Sequence, residues 1–395
     1  MPRLRMLTAG ESHGKSLIGI LEGMPSGIPI DKQKIDLQLR RRQIGYGRGG
    51  RMQIESDSVE ILSGLRFGTT LGSPIAVLIQ NKDWANWSER MDPLSGTEPN
   101  PVHTPRPGHA DYSGGIKYRH SDLRNVLERA SARETAVRVA LGSIVRHMLD
   151  LFDIQIGSHV IQIEHAQNEN TFLHFCNPIT SQTQNQLLEA FQRADASPIR
   201  CSDAGAGSKM LECIQNVLED GDSVGGLFEV AALNVPVGLG SYVHWDRRLD
   251  AALASAFMSI PGIKSVEIGL GIESSGMKGS EVHDAFVLGR EKEILRSSNR
   301  AGGIEGGVTN GQPVLVRAGM KPIPTLRKPL PSVNLVDKTP VQAHQERSDV
   351  CAVPAASIVG ESMLALVLGE AFLERYGADS LEQLRANRGL DRESH

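Results

Sequence analysis

Residues 354–377 read PAASIVGESMLALVLGEAFLERYG. Pro354 suits a first helical turn and Gly377 suits the position after a last one, so the stretch predicts one long helix. From Ala355 to Val367 it is apolar nearly all round, which places that helix in a core. Outward from it, apolar/polar alternation predicts strands at about 52–61, 154–163, 228–237 and 314–320. Ser121 is a plausible N-cap for another helix, with Leu123, Val126, Leu127, Ala130, Val137, Ala140, Ile144 and Met148 at helical spacing. A further helix is expected over 250–260, stopped by Pro261-Gly262, and a short amphipathic one over 31–39. Strands and helices do not alternate in a strict βαβ rhythm. That favours an α+β fold over a doubly wound parallel sheet. The polar residues after about 387 are expected to fray.

The chain has 395 residues, 40% hydrophobic and 22% charged, an ordinary globular composition able to bury a large core. Its net charge of −4 argues against a general nucleic-acid binder. Any positive patch is therefore local and suits a small anion better than a polymer. Cys176, Cys201, Cys213 and Cys351 lack zinc-like spacing and read as reduced structural thiols, with no metal site expected. The first residues contain no apolar leader, and no stretch looks long enough to span a bilayer. A cytoplasmic protein without a membrane partner is the expectation.

Several segments carry chemistry-bearing residues. Arg40, Arg41, Arg42, Arg48 and Arg51 flank the glycine-rich stretch 45–50. They read either as a solvated helix end that offsets the dipole or as guanidinium groups brought to carboxylate or phosphate. Gly45, Gly47 and Gly50 match GxGxxG, but the match follows a charged helical stretch and precedes a strand-like one, so it is accidental. The irregular stretch 83–115 is long enough to be functional and ends in RPGHAD (106–111). GESHG (10–14) frames a second histidine with glycines. In ERASARE (128–134), Arg129 and Arg133 are expected to face the same way. Their carboxylate neighbours could pair with them on a solvated face, or the small residues between could admit a planar ligand. The amides of AGGIEGGVTNG (301–311) could form an anion-binding nest. In RSDVC (347–351), Asp349 is either a residue at the start of a helix or an acid/base group. Together these arginines, two glycine-framed histidines and an aspartate suit proton transfer on a phosphorylated or polycarboxylated small molecule.

The blocks TAGESHG, RRRQIGYGRGGRM, TPRPGHADY, LERASARETAVRVA, NRAGGIEGGVTNGQP, MKPIPT and RSDVCAVPA occur in that order. They resemble the chorismate synthase family across essentially the whole chain. The resemblance implies one domain over residues 1–386, a β-α-β sandwich with helices between two antiparallel sheets, assembled as a homotetramer. It implies loss of phosphate and a ring hydrogen from 5-enolpyruvylshikimate 3-phosphate to give chorismate. Reduced FMN is needed without net redox change. NADPH would enter only as a reductant, used either by this protein itself or by an external flavin reductase as a partner.

By the same resemblance, His13 is the acid near the leaving phosphate and His109 the histidine that protonates reduced flavin. Asp349 acts with the flavin N5 region in removing the ring hydrogen. Ser12, Arg42, Arg48, Arg51, Arg106, Ser131, Arg133 and Arg347 would hold substrate. Arg129, Ala130, Ser131, Pro261, Gly262, Gly306, Lys321, Pro322, Ile323, Pro324, Thr325 and Arg347 would hold FMN. The family associates Arg42 and Arg48 with NADP, although substrate contacts suit them better. The alternative is a flavin-dependent NADPH oxidoreductase on a small anionic substrate. Cationic neighbours oppose a charged imidazole and bound anions favour one, so both histidines are expected to become competent acids with ligands in place.

Overall fold

In the computed structural model, which describes residues 4–49, 56–289, 292–346, 348–377 and 379–393, the chain builds two larger antiparallel sheets beside short two-stranded ones. The first contains β1 (Arg5–Ala9), β2 (Ser16–Glu22), β3 (Val59–Ile61) and β4 (Ile75–Gln80), in the order β1-β2-β4-β3. In β2, Leu17, Gly19 and Leu21 turn inward while Ile18 and Ile20 face out, as the two-residue period of a strand requires. The second sheet contains β5 (Gln155–Ile163), β6 (Ala166–Gln167), β7 (Gly226–Leu233), β8 (Ile263–Ile268) and β9 (Val314–Met320). Its order is β8-β9-β7-β5-β6.

The longer helices are α1 (Lys32–Gln43), α2 (Asp111–Tyr118), α3 (Arg124–Arg129), α4 (Thr135–Asp150), α5 (Thr183–Ala196), α6 (Ala204–Asp220), α7 (Leu249–Met258), α8 (Val353–Tyr376) and α9 (Leu381–Glu393). Helix α4 packs on the first sheet and α8 on the second, and the two helices pack on each other. Their approach is close at both faces. A Cβ on Gly19 would meet the Val137 side chain at 2.3 Å, and one on Gly142 would meet the Ser362 carbonyl oxygen at 2.7 Å. One apolar cluster runs from Leu17 and Leu21 through Val137, Leu141 and Leu364 to Phe228 and Val230.

Helix α8 is as expected, with Pro354 in its first turn and Gly377 as its C-cap. One expectation about it fails. By length and composition α8 could cross a membrane, with a mean hydropathy of 1.6 in its most apolar window, yet 89% of that window is buried inside the protein. Its apolar surface is taken up by α4, α7 and the second sheet.

The single helix expected from Ser121 is broken in two, and Leu123 rather than Ser121 precedes α3. Ser131 adopts an extended conformation (φ −66°, ψ 139°) and its side chain accepts from the Arg133 amide, opening a short 3-10 turn, Ala132–Glu134, before α4. Strands at 155–163 and 314–320 match the expected positions, and the one expected at 228–237 runs over 226–233. Of the strand expected at 52–61, residues 52–55 lie outside the described ones and Val59–Ile61 is β3. The polar residues from 387, expected to fray, continue α9 to Glu393.

Candidate active site

Asp31 caps α1 by accepting from the Gln33 amide, and Ile35 and Leu39 bury its inner face. The last turn carries Arg40, Arg41 and Arg42. Arg41 turns to Glu361 on α8, at 2.6 Å, while Arg42 turns to Asp57, at 3.1 Å. Beyond the helix, Gly47 takes φ +80°, and a Cβ there would meet Ile214 at 2.9 Å. Its carbonyl accepts from the Val350 amide at 2.7 Å. This docks the glycine loop on the segment before α8. Asp349 then receives Arg48 at 2.7 Å and the Gly49 amide at 2.6 Å.

Asp57 is buried between two guanidinium groups, Arg42 and, at 2.6 Å, Arg133. Arg133 Nε also donates to Asn81 at 3.0 Å. Burial would raise the Asp57 carboxyl, but the Arg133 and Arg42 charges hold it below its usual range. Burial lowers the Arg42 guanidinium to about 10; Asp57 opposes this, and the charges of Arg133 and Arg48 reinforce it. Arg42 Nε is buried with no hydrogen-bond partner among the described residues. This cation is under-supplied with negative charge, a deficit that an anionic ligand would correct.

His13 follows the turn at Gly10 (φ +106°) and is buried. Its Nδ1 lies 2.8 Å from Glu128 Oε1, and its amide donates to Glu128 Oε2 at 2.7 Å. The ring stacks on Trp87, with centroids 4.0 Å apart. His109 follows Gly108 (φ +83°), and its Nδ1 lies 2.6 Å from Asp111 Oδ1 at the start of α2. Arg106 donates to the same carboxylate through Nε at 2.8 Å and to Thr325 at 2.8 Å. Burial alone would raise Asp111, but hydrogen bonds from His109 and Arg106 hold it well below the usual carboxylate range.

These segments enclose a cavity of about 680 Å³, within the roughly 300–1,000 Å³ of small-molecule sites. Its polar lining includes Ser12, His13, Arg42, Arg48, Arg106, His109, Ser131, Arg133 and Asp349. Its apolar lining includes Met258, Ile260, Met320, Ile323 and Pro324. Ala130, Pro261, Gly262, Lys321, Pro322 and Thr325 line it as well. Gly262 takes φ +86°, and a Cβ there would meet the Met320 side chain at 2.9 Å; one on Gly108 would meet Lys321 Nζ at 3.2 Å. Bare backbone beside an apolar shelf and a lysine suits a flat ring system that carries a phosphate.

Two expected residues are placed elsewhere. Arg129 is not in the lining; it donates to the carbonyl oxygens of Thr8, at 3.0 Å, and Gly10, at 3.1 Å. The break at Ser131 turns it away from Arg133, so the two do not share a face. Gly306 sits in the turn between the short strands Ile304–Glu305 and Val308–Thr309, also outside the lining. The glycines around it serve close backbone packing: a Cβ on Gly303 would meet the Pro313 carbonyl oxygen at 2.5 Å. The expected anion nest at 301–311 is therefore not part of the cavity. Arg51 and Arg347 lie outside the described residues.

The sequence alone gives no role to Asp57, Asn81, Trp87, Asp111 or Glu346, and reads Glu128 only as a pairing carboxylate for the neighbouring arginines. Glu128 and Asp111 stood inside quoted motifs, within reach of an arginine or histidine in sequence, and that proximity was the available signal. Their histidine partners, His13 and His109, define the site as much as the arginines do.

The family model for chorismate synthase matches residues 4–373. Chorismate synthase of Aquifex aeolicus is 52% identical over 386 residues, covering 97% of this chain and 96% of that protein. Chorismate synthase of Desulforudis audaxviator is 53% identical over 387 residues, with coverage of 97% and 96%. A solved crystal structure of chorismate synthase superposes with a TM-score of 0.78 at 44% identity, covering 98% of this chain and 96% of the other. The chain belongs to the chorismate synthase family.

Proposed function

We propose that the cavity converts 5-enolpyruvylshikimate 3-phosphate to chorismate by a trans-1,4 elimination of phosphate, a step of the shikimate pathway in aromatic amino acid biosynthesis. The observation that carries this is convergence. His13, His109 and Asp349, distant in sequence, line one cavity with Arg42, Arg48, Arg106 and Arg133, in a chain of this family.

The C–O bond to phosphate and a ring C–H bond both break, and a second ring double bond forms. Arg42, Arg48, Arg133 and Ser131 bind the substrate's phosphate and carboxylates, together with Ser12, Arg51 and Arg347. Guanidinium forks suit such groups through paired hydrogen bonds. His13 gives a proton to the departing phosphate. Asp349, steadied by Arg48 and the Gly49 amide, would act in removing the ring hydrogen. These contacts also favour substrate over NADP as the ligand of Arg42 and Arg48.

The lining fits reduced FMN: Ala130, Ser131, Pro261, Gly262 and Lys321 to Thr325 would hold it. When bound there, the flavin would supply transient electron donation that assists phosphate departure, without net redox change. His109, with Nδ1 against Asp111, would offer Nε2 for proton exchange with the reduced ring. Arg106 anchors that aspartate. NADPH would serve only as the reductant of the flavin, either on this protein or through an external flavin reductase. We read the layers as one sandwich domain over 1–386, supported by the packing of α4 and α8 between the sheets. A homotetramer is supported by a hairpin whose Phe286, Leu288 and Ile294 stand exposed. A cytoplasmic location accords with the family's biosynthetic role.

The test is an anaerobic assay with chemically reduced FMN and the enolpyruvyl substrate. Chorismate and phosphate in equal amounts, with the flavin still reduced at the end, support the proposal. No chorismate, or NADPH consumed in step with a product of altered oxidation state, overturns it.

A further inference from the structure

Glu128 grips one residue at two atoms, the His13 ring at Nδ1 and the His13 amide. It is itself 2% exposed. A carboxylate surrounded by donors accepts and does not give, so Nδ1 must carry the proton in that contact. Nε2 is then the ring nitrogen that exchanges a proton with a ligand. Trp87 backs the ring, stacked at 24°, and the guanidinium groups of Arg90 and Arg124 lie over the indole at 4.7 Å and 5.1 Å. Arg124 also reaches Glu128 at 3.4 Å and Glu346 at 2.9 Å. Glu346 is held by His344 at 2.8 Å and lies three residues before Asp349.

From this juxtaposition we infer that Glu128 is a positioning residue that sets the tautomer and rotamer of His13. Trp87 is the backstop, and Arg124 ties the pair to the segment carrying Asp349. The inference rests on His13 being the acid for the departing phosphate. The groups acting on the two breaking bonds then share one framework, although 336 residues separate them in the chain (349 minus 13). Without Glu128 the acid would remain, but its neutral form would carry the proton on either nitrogen and the ring could turn from the cavity.

Two measurements test this. In anaerobic steady-state assays with reduced FMN, Glu128→Gln is expected to lower kcat by about 10²-fold, with KM held within about threefold. Glu128→Asp, which keeps the charge on a shorter arm, is expected to recover part of that loss. In wild-type protein, ¹⁵N NMR of labelled histidines should show neutral His13 protonated on Nδ1; this reading does not depend on a variant folding. A kcat for Glu128→Gln within about threefold of wild type, a loss confined to KM, or an Nε2-protonated neutral ring in the wild type overturns the inference. If His13→Ala itself leaves kcat unchanged, the assignment of the acid fails instead. If His13→Ala is impaired and Glu128→Gln is not, the positioning role alone fails.

Discussion

Arg41 and Arg42 are consecutive residues of one helix, and both are enclosed, yet they belong to clusters of opposite character. Arg41 joins Arg146 and Arg200 around Glu361, which also accepts from Ser158 at 2.6 Å. Burial would raise that carboxyl, but the three guanidinium charges hold it at about 2. Arg41 sits above its ordinary value: burial opposes this, and Glu361 and Asp195 outweigh it. Arg200, in the same cluster, is lowered by burial and by Arg41. Its nitrogens are nonetheless spent on protein acceptors: Nε on Ser357, Nη1 on Asp195 and Nη2 on the Ser158 carbonyl. Around Asp57 the balance differs. Arg42 is lowered to about 10 and keeps a buried Nε without an acceptor among the described residues. It also lines the cavity, which Arg41 does not. One cluster is closed on itself and holds layers together; the other faces the cavity, where we propose that it takes an anion.

The largest expected effect falls on the closed cluster. Glu361→Gln leaves three buried guanidinium groups short of their counter-charge and should lower unfolding free energy by about 3–5 kcal/mol in urea titrations. A loss below about 1 kcal/mol, the scale of exposed pairs, would break the contrast. The same carboxyl gives a pH signature. Its folded value, about 2, lies below its ordinary 4.5, so its contribution is complete above about pH 4.5 and drains as pH falls toward 2. Wild type should therefore lose more stability across that window than Glu361→Gln. Equal slopes would remove Glu361 as the cause.

Next in size is the open cluster. Arg42→Ala should lower kcat/KM by about 2–3 kcal/mol of transition-state stabilisation, on the order of 10²-fold. Its urea midpoint should stay near that of wild type, because a poorly compensated buried cation has been removed. Unfolding of Arg42→Ala on the scale of Glu361→Gln would place both arginines in the framework. The smallest effect is ligand linkage. Inorganic phosphate at about ten times its Kd should stabilise wild type by about 1.4 kcal/mol, read as a rise in Tm, and Arg42→Ala much less. Equal protection of both would mean that phosphate binds elsewhere.

Much of this was legible in the sequence because it depends on local rules. Helix α8 carries its own start, stop and apolar run, and α1 its cap at Asp31. Strand β2 was harder to read: its outward residues include Ile18 and Ile20, so apolar side chains occupy both faces and the alternation fades. The break at Ser131 was hidden because apolar spacing continues across it, while the reason for it is tertiary: Arg129 is drawn to Thr8 and Gly10, and Arg133 to Asp57. Composition equally gives no means of dividing RRR at 40–42 between framework and site. That division is made by what lies opposite each arginine, Glu361 from α8 or Asp57 from the segment before β3. Glycine-rich 301–311 misled for the same reason, since close backbone packing and anion binding favour the same residue.

Two anions side by side in one cavity are most directly tested by titrating oxidised FMN into the protein with and without saturating 5-enolpyruvylshikimate 3-phosphate, following flavin fluorescence. Simultaneous occupancy predicts that FMN binds at one per chain with undiminished affinity when the substrate is present. Displacement of FMN by the substrate would contradict it, because both would then be competing for the same arginines.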